Sequence, residues 1–475
     1  MFRIRIKTVS AFKYMSTKDS PYTICDVPRP KNLPLIGTKL DLFVAGGGAK
    51  LHEYIDNRHK ELGPIFCEKL STSELVFISE PKLMKSLFLR IEGKYPIHIL
   101  PEPWVLYEKL HGSKRGLFFM DGEEWLTNRR IMNKHLLLDD PDKWLEEPLK
   151  MTITSFINEL NNKIDSKTAH IIPNLESDLY KLSTNAVIAV LMGSSSKVQK
   201  SMHFNELLCK FSDTVKGIFE TTTALFGLPV NICQKLNLPV WKDFKECVDE
   251  SLILAHKLIN EMLDHRNQSD GLIKKLSDEN ITDENIIRIA ADFVMAAGDT
   301  TSYTTLWTMH LLSTHREVTD EILHTNGTYV KNVIRESMRL YPVAPFLTRI
   351  LPKDSFIGPY KLQQGVPVIA SIYTSGRDEK YFSRANEFLP YRWDRNDARR
   401  STLANHEPSA SLPFAMGARS CIGKKMAMMQ MTEFIKQLVH NFHIHPSEES
   451  NKVKAVTSGV LVPDRPLKLA LSQRK

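Results

Sequence analysis

The stretch "LPFAMGARSCIGKKMAMMQM", Leu412 to Met431, holds one cysteine, Cys421, preceded by Pro413, Phe414, Gly417 and Arg419 and followed by Gly423. Glycines at these positions permit tight backbone approach and positive φ. A helix is expected to begin just after the cysteine, so its free N–H groups and positive dipole end would face the sulfur. Together with Arg419 they should lower the thiol pKa and favour a thiolate.

A lone thiolate is a poor zinc site, because zinc wants its cysteines and histidines in groups. It suits a metal whose other ligands come from a cofactor, and haem iron with one axial cysteinate fits. The remaining cysteines, Cys25, Cys67, Cys209, Cys233 and Cys247, form no metal spacing. So few and so scattered, they indicate a reducing compartment rather than a disulfide framework.

"FAMGARSCIG" (Phe414 to Gly423) resembles the cysteine-ligand loop of the cytochrome P-450 haem-thiolate monooxygenases, F-x-x-G-x-R-x-C-x-G, at every fixed position. The resemblance implies a haem b cofactor with Cys421 as proximal iron ligand. Arg419 would bind a haem propionate, Phe414 would pack near the sulfur, and Gly417 and Gly423 would let the backbone come close. It implies a single large, mostly α fold with small β-sheets, the haem lying between a long central helix and this loop.

Three further motifs carry the resemblance. "MAAGDTTSYT" (Met295 to Thr304) reads as a helix with a small-residue notch at Ala296, Ala297 and Gly298, then an acid and hydroxyls able to conduct protons. It is similar to the family's oxygen-activation motif, A-[AG]-x-[DE]-T-T, which makes Thr300 the hydroxyl beside the oxygen site and Asp299 its proton-relay partner. Ala297 stands where glycine is common, with Gly298 one step later, so the notch should persist with a slightly altered width. "ESMR" places Glu336 and Arg339 on one helix face. The resemblance makes them the buried E-x-x-R pair, locked by Arg392 of "FLPYRW", where Tyr391 replaces a common glutamate. "WLTNR" puts Trp125 and Arg129 at i and i+4, as in the family's propionate-holding W-x-x-x-R helix, and Arg349 stands where another propionate-binding basic residue is placed.

Helical periodicity dominates from about 120 to 340, with strand-like pieces near 64–79 and 346–372. "NAVIAVLMG" (Asn185 to Gly193) reads as a buried helix. "LFGLPVNICQKLNLPVWKDF" (Leu225 to Phe244) is either an ordinary helix–helix loop or a greasy lid. The net charge is +8, and the first 18 residues carry five of the lysines and arginines with no acid, leaving the body at +3. That disfavours a nucleic-acid partner. Basic, hydroxyl-bearing and free of acid, residues 1–18 look like a mitochondrial transit segment. Residues 19–37, with Pro28, Pro30 and Pro34, read as a stiff lead-in, and 38–475 as the catalytic domain. Between Leu323 and Tyr329 only "HTNGT" remains, where the family has a longer connection with another short helix.

"KNVIRE" places Lys331 and Arg335 one turn apart before E-x-x-R. This resembles the mitochondrial branch, in which basic residues there dock an acidic [2Fe–2S] ferredoxin fed by its reductase; Lys424 and Lys425 extend the patch. The branch implies a peripheral position on the matrix face of the inner membrane and a lipophilic steroid substrate. Within it, "AAGDTT" and the proline-rich lead look most like insect ecdysteroid 2-hydroxylation enzymes. The alternatives are another sterol or a xenobiotic as substrate, a haem-thiolate isomerase or dehydratase, and a non-enzymatic haem carrier or gas sensor. Asp299, Thr300 and the basic donor face argue for oxygen insertion.

Overall fold

The computed structural model describes residues 22–31, 37–70, 74–112, 115–164, 169–193, 202–325 and 327–474. The basic segment 1–18 and Pro34 lie outside them. The described lead-in is part of the body: Val27 is buried, the Pro28 carbonyl accepts the Cys67 amide at 2.8 Å, and Arg29 pairs with Glu74.

A helix of 32 residues, Asp283–Thr314, runs through the centre. Thr282 caps it, its side chain accepting from the Asn285 amide, and Asp283 and Glu284 complement the dipole in the first turn. Around it pack Leu175–Met192, Met202–Leu225, Pro239–Asp264, Thr328–Leu340 and Lys424–Asn441. They share one apolar core, to which the predicted buried helix contributes Val187, Val190 and Leu191. Burial of each such side chain contributes about 1.5–3 kcal/mol.

The four-stranded sheet has the order Ile65–Glu68, Leu75–Ile78, Pro367–Ser371, Phe346–Ile350. The Leu75–Ile78/Pro367–Ser371 pair is parallel, with Val76 opposite Val368; the outer pairs are antiparallel, and Arg349 faces Val368. Phe66 and Phe77 stack 5.0 Å apart and are both buried. These strands fall where the sequence places them. The sequence reading missed the C-terminal strands Phe442–Pro446, Ala455–Ser458, Val460–Pro463 and Leu469–Gln473.

The stretch 225–244 contains a short helix, Val230–Lys235, of its own. It buries Val230, Cys233, Trp241 and Phe244 but leaves Phe226, Leu228, Ile232, Leu236 and Leu238 exposed. Among the described residues no helix is long and apolar enough to cross a membrane.

Candidate functional site

The cysteine loop is built around Gly417. Its φ is +82°, and a Cβ there would lie 2.2 Å from the Phe88 carbonyl oxygen and 2.4 Å from Glu92 Oε1. Glu92 Oε1 accepts the Ala418 amide at 2.6 Å, while Oε2 accepts Arg349 Nε at 2.7 Å. One buried carboxylate therefore ties the loop to the strand Phe346–Ile350. The Cys421 amide donates to the Phe414 carbonyl at 2.9 Å, and the helix Lys424–Asn441 follows. Gly423 differs from expectation. Its φ is −83°, and a Cβ would meet only Phe293 at 3.7 Å, so the protein alone does not demand glycine there. That contact does set the ligand loop against the middle of the central helix.

The thiol also departs from expectation. Burial pushes the Cys421 pKa up; the Gly423 amide, Arg129 and Lys424 pull it down without prevailing. Arg419 is not among these influences. Its guanidinium turns to the Pro96 and Met120 carbonyls and to Asp121, and lies 4.5 Å over the Trp125 ring. Burial thus favours the protonated thiol, and binding a metal would favour the thiolate. Cys421 keeps accessible surface although dense protein surrounds it, the signature of a residue lining an internal cleft.

On the central helix, Ala296 is exposed and Ala297 and Thr300 are partly so, while Gly298, Asp299, Thr301 and Ser302 are buried. The notch is therefore Ala296–Ala297. Gly298 faces elsewhere: a Cβ on it would come within 2.8–2.9 Å of the Tyr180 ring and hydroxyl, so this glycine admits a tyrosine of the helix Leu175–Met192 and does not widen the cleft. Thr300 Oγ1 donates to the Ala296 carbonyl at 2.8 Å, the usual resting bond of a helical threonine. Burial raises the Asp299 carboxyl from 3.8 to about 6, with Lys216 lowering and Glu220 raising it.

A folded-state value above the unfolded one means that folding favours the protonated acid. That contribution is complete below about pH 4 and is lost as pH rises through about 6. Asp299→Asn should therefore be more stable than the parent at pH 7–8, by up to about 3 kcal/mol, with the difference shrinking toward pH 4. Thermal unfolding across pH 4–8 reads this, and a variant less stable at pH 8 would show that the carboxylate is compensated.

Beside the cleft three basic side chains keep unused donors. Among the described residues, Arg129 Nε, Arg349 Nη2 and His98 Nε2 are buried and have no hydrogen-bond partner. Trp125 is 1% exposed beside them. Arg129 donates once, to the Ser420 carbonyl at 2.6 Å, and Arg349 lies 4.7 Å over the Phe88 ring. Burial, Arg419 and Arg349 drive His98 down to about 3; burial with Arg349 and Arg129 lowers Arg419 to about 10 despite Asp121. Three arginines here face only Glu92 and Asp121. Buried cations with spare donors call for an anion, and the two carboxylates of haem b would meet that demand. No cluster of three or more His, Cys, Asp or Glu able to hold a metal occurs among the described residues. A lone thiolate with a porphyrin supplying the other ligands fits the donor set.

The predicted pair Glu336–Arg339 and its partner Arg392 come together with no exposed side-chain surface. Glu336 accepts Arg339 Nη2 at 2.7 Å, Arg339 Nε at 2.9 Å and Arg392 Nε at 2.8 Å. It also accepts the Leu389 amide and Trp393 Nε1, a partner that spacing did not disclose. Burial opposes the charge on Glu336, but the two arginines hold its pKa below the usual carboxylate range. Tyr391, at the departing position, lies under Arg399, which bridges to Glu321 of the helix Arg316–His324. That helix reaches Thr328–Leu340 through a few residues, Gly327 taking φ +78°.

From Tyr329 to Leu340 every residue is buried except Lys331 and Arg335, which form an exposed stripe of two cations. Lys424 is exposed and Lys425 partly so.

The cytochrome P450 family model matches residues 27–471. The chain is 36% identical to cytochrome P450 315a1, mitochondrial, of Drosophila melanogaster, over 94% of this chain and 88% of the relative. It is 26% identical to the mitochondrial 1,25-dihydroxyvitamin D(3) 24-hydroxylase of Mus musculus, over 97% and 91%. It is 25% identical to the mitochondrial cholesterol side-chain cleavage enzyme of Oncorhynchus mykiss, over 90% and 86%. With the fold, the cleft thiol and these matches in agreement, the chain belongs to the cytochrome P450 family and is a haem b-dependent monooxygenase.

Proposed function

We propose that this monooxygenase works in mitochondria, hydroxylates a steroid, specifically an ecdysteroid at carbon 2, and takes its electrons from a [2Fe–2S] ferredoxin and its reductase. The observation that carries the reading is the stripe of Lys331 and Arg335, the only exposed side chains on an otherwise buried stretch of helix. Two cations held on a rigid support suit an acidic donor, which charge complementarity would steer into a fast, weak encounter. The mitochondrial 1,25-dihydroxyvitamin D(3) 24-hydroxylase and cholesterol side-chain cleavage enzyme among the relatives support the substrate class. Phe43 and Val44 are 77% and 79% exposed, and a Cβ on nearby Gly48 would touch the exposed Phe226, joining two apolar segments into one face. We assign that face to peripheral contact with the membrane.

In this reading Cys421 would bind the haem iron, Arg129, Arg349 and His98 would hold the propionates with Trp125 beside them, and Arg419 would stiffen the same wall. Bound there, the haem supplies activation of dioxygen and transfer of one oxygen atom to a C–H bond. The protein's part is placement and protons. Asp299, with its pKa near working pH, can hold or release a proton at its carboxyl. Thr300 can exchange its bond to the Ala296 carbonyl for one into the cleft.

Incubation of the holoenzyme with ferredoxin, reductase and 2-deoxyecdysone should give a product one oxygen heavier by mass spectrometry. Turnover of other sterols but not of this one would remove the ecdysteroid assignment. Lys331→Glu combined with Arg335→Glu should raise the KM for ferredoxin about tenfold at low salt, converging on the parent as salt is raised. An unchanged KM would place the donor elsewhere.

A further inference from the structure

A cavity of about 50 Å³ lies between the helix Pro239–Asp264, the first half of the central helix and the segment 115–119. Its outer rim holds the exposed His256 and Glu284; its inner wall holds Phe211 and Met295, the latter next in sequence to the exposed Ala296 of the cleft. Arg115 lines it, and the residue is 9% exposed. The guanidinium stacks 4.1 Å from the Trp104 ring and 5.0 Å from that of Phe119. Among the described residues it donates no hydrogen bond and makes no ion pair; Asp292 acts on it only at longer range.

The backbone that carries the side chain is firmly placed. Arg288 donates twice to the Arg115 carbonyl, at 3.0 and 2.6 Å. Asp292 Oδ2 accepts the Phe118 amide at 3.2 Å. A Cβ on Gly116 would lie 2.2 Å from the Arg288 carbonyl oxygen, so the segment is pressed against the central helix. Trp104 and Phe119, themselves stacked 5.0 Å apart, pack against the guanidinium and offer its N–H groups no acceptor. A buried cation kept without an acceptor is costly for stability alone. One that packs against two rings, on an anchored backbone, and lines a cavity is arranged as a binding group.

We propose that Arg115 is a specificity-determining residue that donates hydrogen bonds to an oxygen acceptor, a ketone or hydroxyl, at one end of the lipophilic substrate. The cavity has room for such a polar end or a few waters and not for a steroid nucleus, so the body of the substrate lies in the cleft beyond Met295. The inference rests on the steroid-hydroxylase reading, and it narrows that reading to an oxygen-rich substrate.

Spectral titration of the ferric holoenzyme tests it, following the substrate-induced change in the haem absorption band. The probes are 2-deoxyecdysone, 25-hydroxycholesterol and cholesterol, with the parent, Arg115→Met and Arg115→Lys. Loss of a hydrogen bond from a charged donor should weaken the oxygenated ligand about 10–100-fold in Arg115→Met. Cholesterol binding should change less than twofold, and Arg115→Lys should recover part of the loss. An equal loss for all probes would mean that Arg115 only holds the segment 115–119, and would overturn the proposal. So would a parent enzyme with no preference for oxygenated sterols over cholesterol. Should 25-hydroxycholesterol bind and 2-deoxyecdysone not, the ecdysteroid reading falls while the Arg115 comparison still stands on the ligand that binds.

Discussion

Cys421→Ser should abolish the red-shifted Soret band of the reduced, CO-bound enzyme and reduce turnover by well over a hundredfold. Loss of an outer-shell partner alone typically lowers metal affinity or activity 10–100-fold, and here the ligand itself goes. A serine hydroxyl occupies nearly the volume of the thiol, so the loop should keep the Cys421 amide bond to the Phe414 carbonyl and the Glu92 clamp on Ala418. What it cannot do is become a soft anionic ligand near neutral pH. In the parent, burial raises the thiol pKa against the pull of the Gly423 amide, Arg129 and Lys424, and the thiol would lose its proton on binding a metal. An alcohol starts from a far higher pKa and will not. The spectrum is measured beside Cys233→Ser, a buried cysteine in the cluster around Trp241, which should leave the band untouched. A red-shifted band that survives Cys421→Ser would place the ligand elsewhere.

How much of this was legible follows from what each feature depends on. The ligand loop, Trp125–Arg129 and Glu336–Arg339 are set by fixed local spacing, so a single sequence discloses them. Arg392 and Arg349 came from position within short motifs. Glu92 and His98 lie more than 300 residues before Cys421, and only tertiary hydrogen bonds and shared burial join them to it. The one available sign was a carboxylate and an imidazole bracketing "EGKYPIH". Gly298 read as part of the notch because a helix motif does not say which neighbour lies against each face; the Tyr180 contact decides that. The thiol shift differs in sign from the expectation for a related reason: dipole and charge are visible in the sequence, but the extent of burial opposing them is not. The C-terminal strands, no shorter than those the sequence disclosed, escaped because Phe442–Pro446 follows the helix Lys424–Asn441 without a break and two others are separated by Gly459 alone.

Glu336→Gln should prevent stable folding, though it removes no volume and touches neither the cleft nor the donor stripe. Both carboxylate oxygens are in use: Oε1 serves Arg339, Arg392 and the Leu389 amide, and Oε2 serves Arg339 and Trp393. An amide keeps one acceptor oxygen and turns an N–H₂ toward two guanidinium groups that are 0–1% exposed. Breaking a buried pair by removing one partner costs about 3–5 kcal/mol, and here two cations lose their counter-charge. Against a typical net stability of about 5–15 kcal/mol, that is enough to leave the chain largely unfolded. Trp393→Phe sets the scale, since it removes one hydrogen bond to the same carboxylate, worth about 1.5–3 kcal/mol. An apolar replacement of the whole group, often tolerated for buried ion pairs, should fail as well. Arg339 also donates to the Gly376, Ala385 and Glu387 carbonyls, and Arg392 to those of Ser383 and Arg384. These bonds bind the segment 376–393 to the helix that carries Lys331 and Arg335. Urea midpoints and limited proteolysis of the variants should rank parent, Trp393→Phe and then Glu336→Gln; a Glu336→Gln protein as stable as the parent would show that the arginines are held by the carbonyls alone.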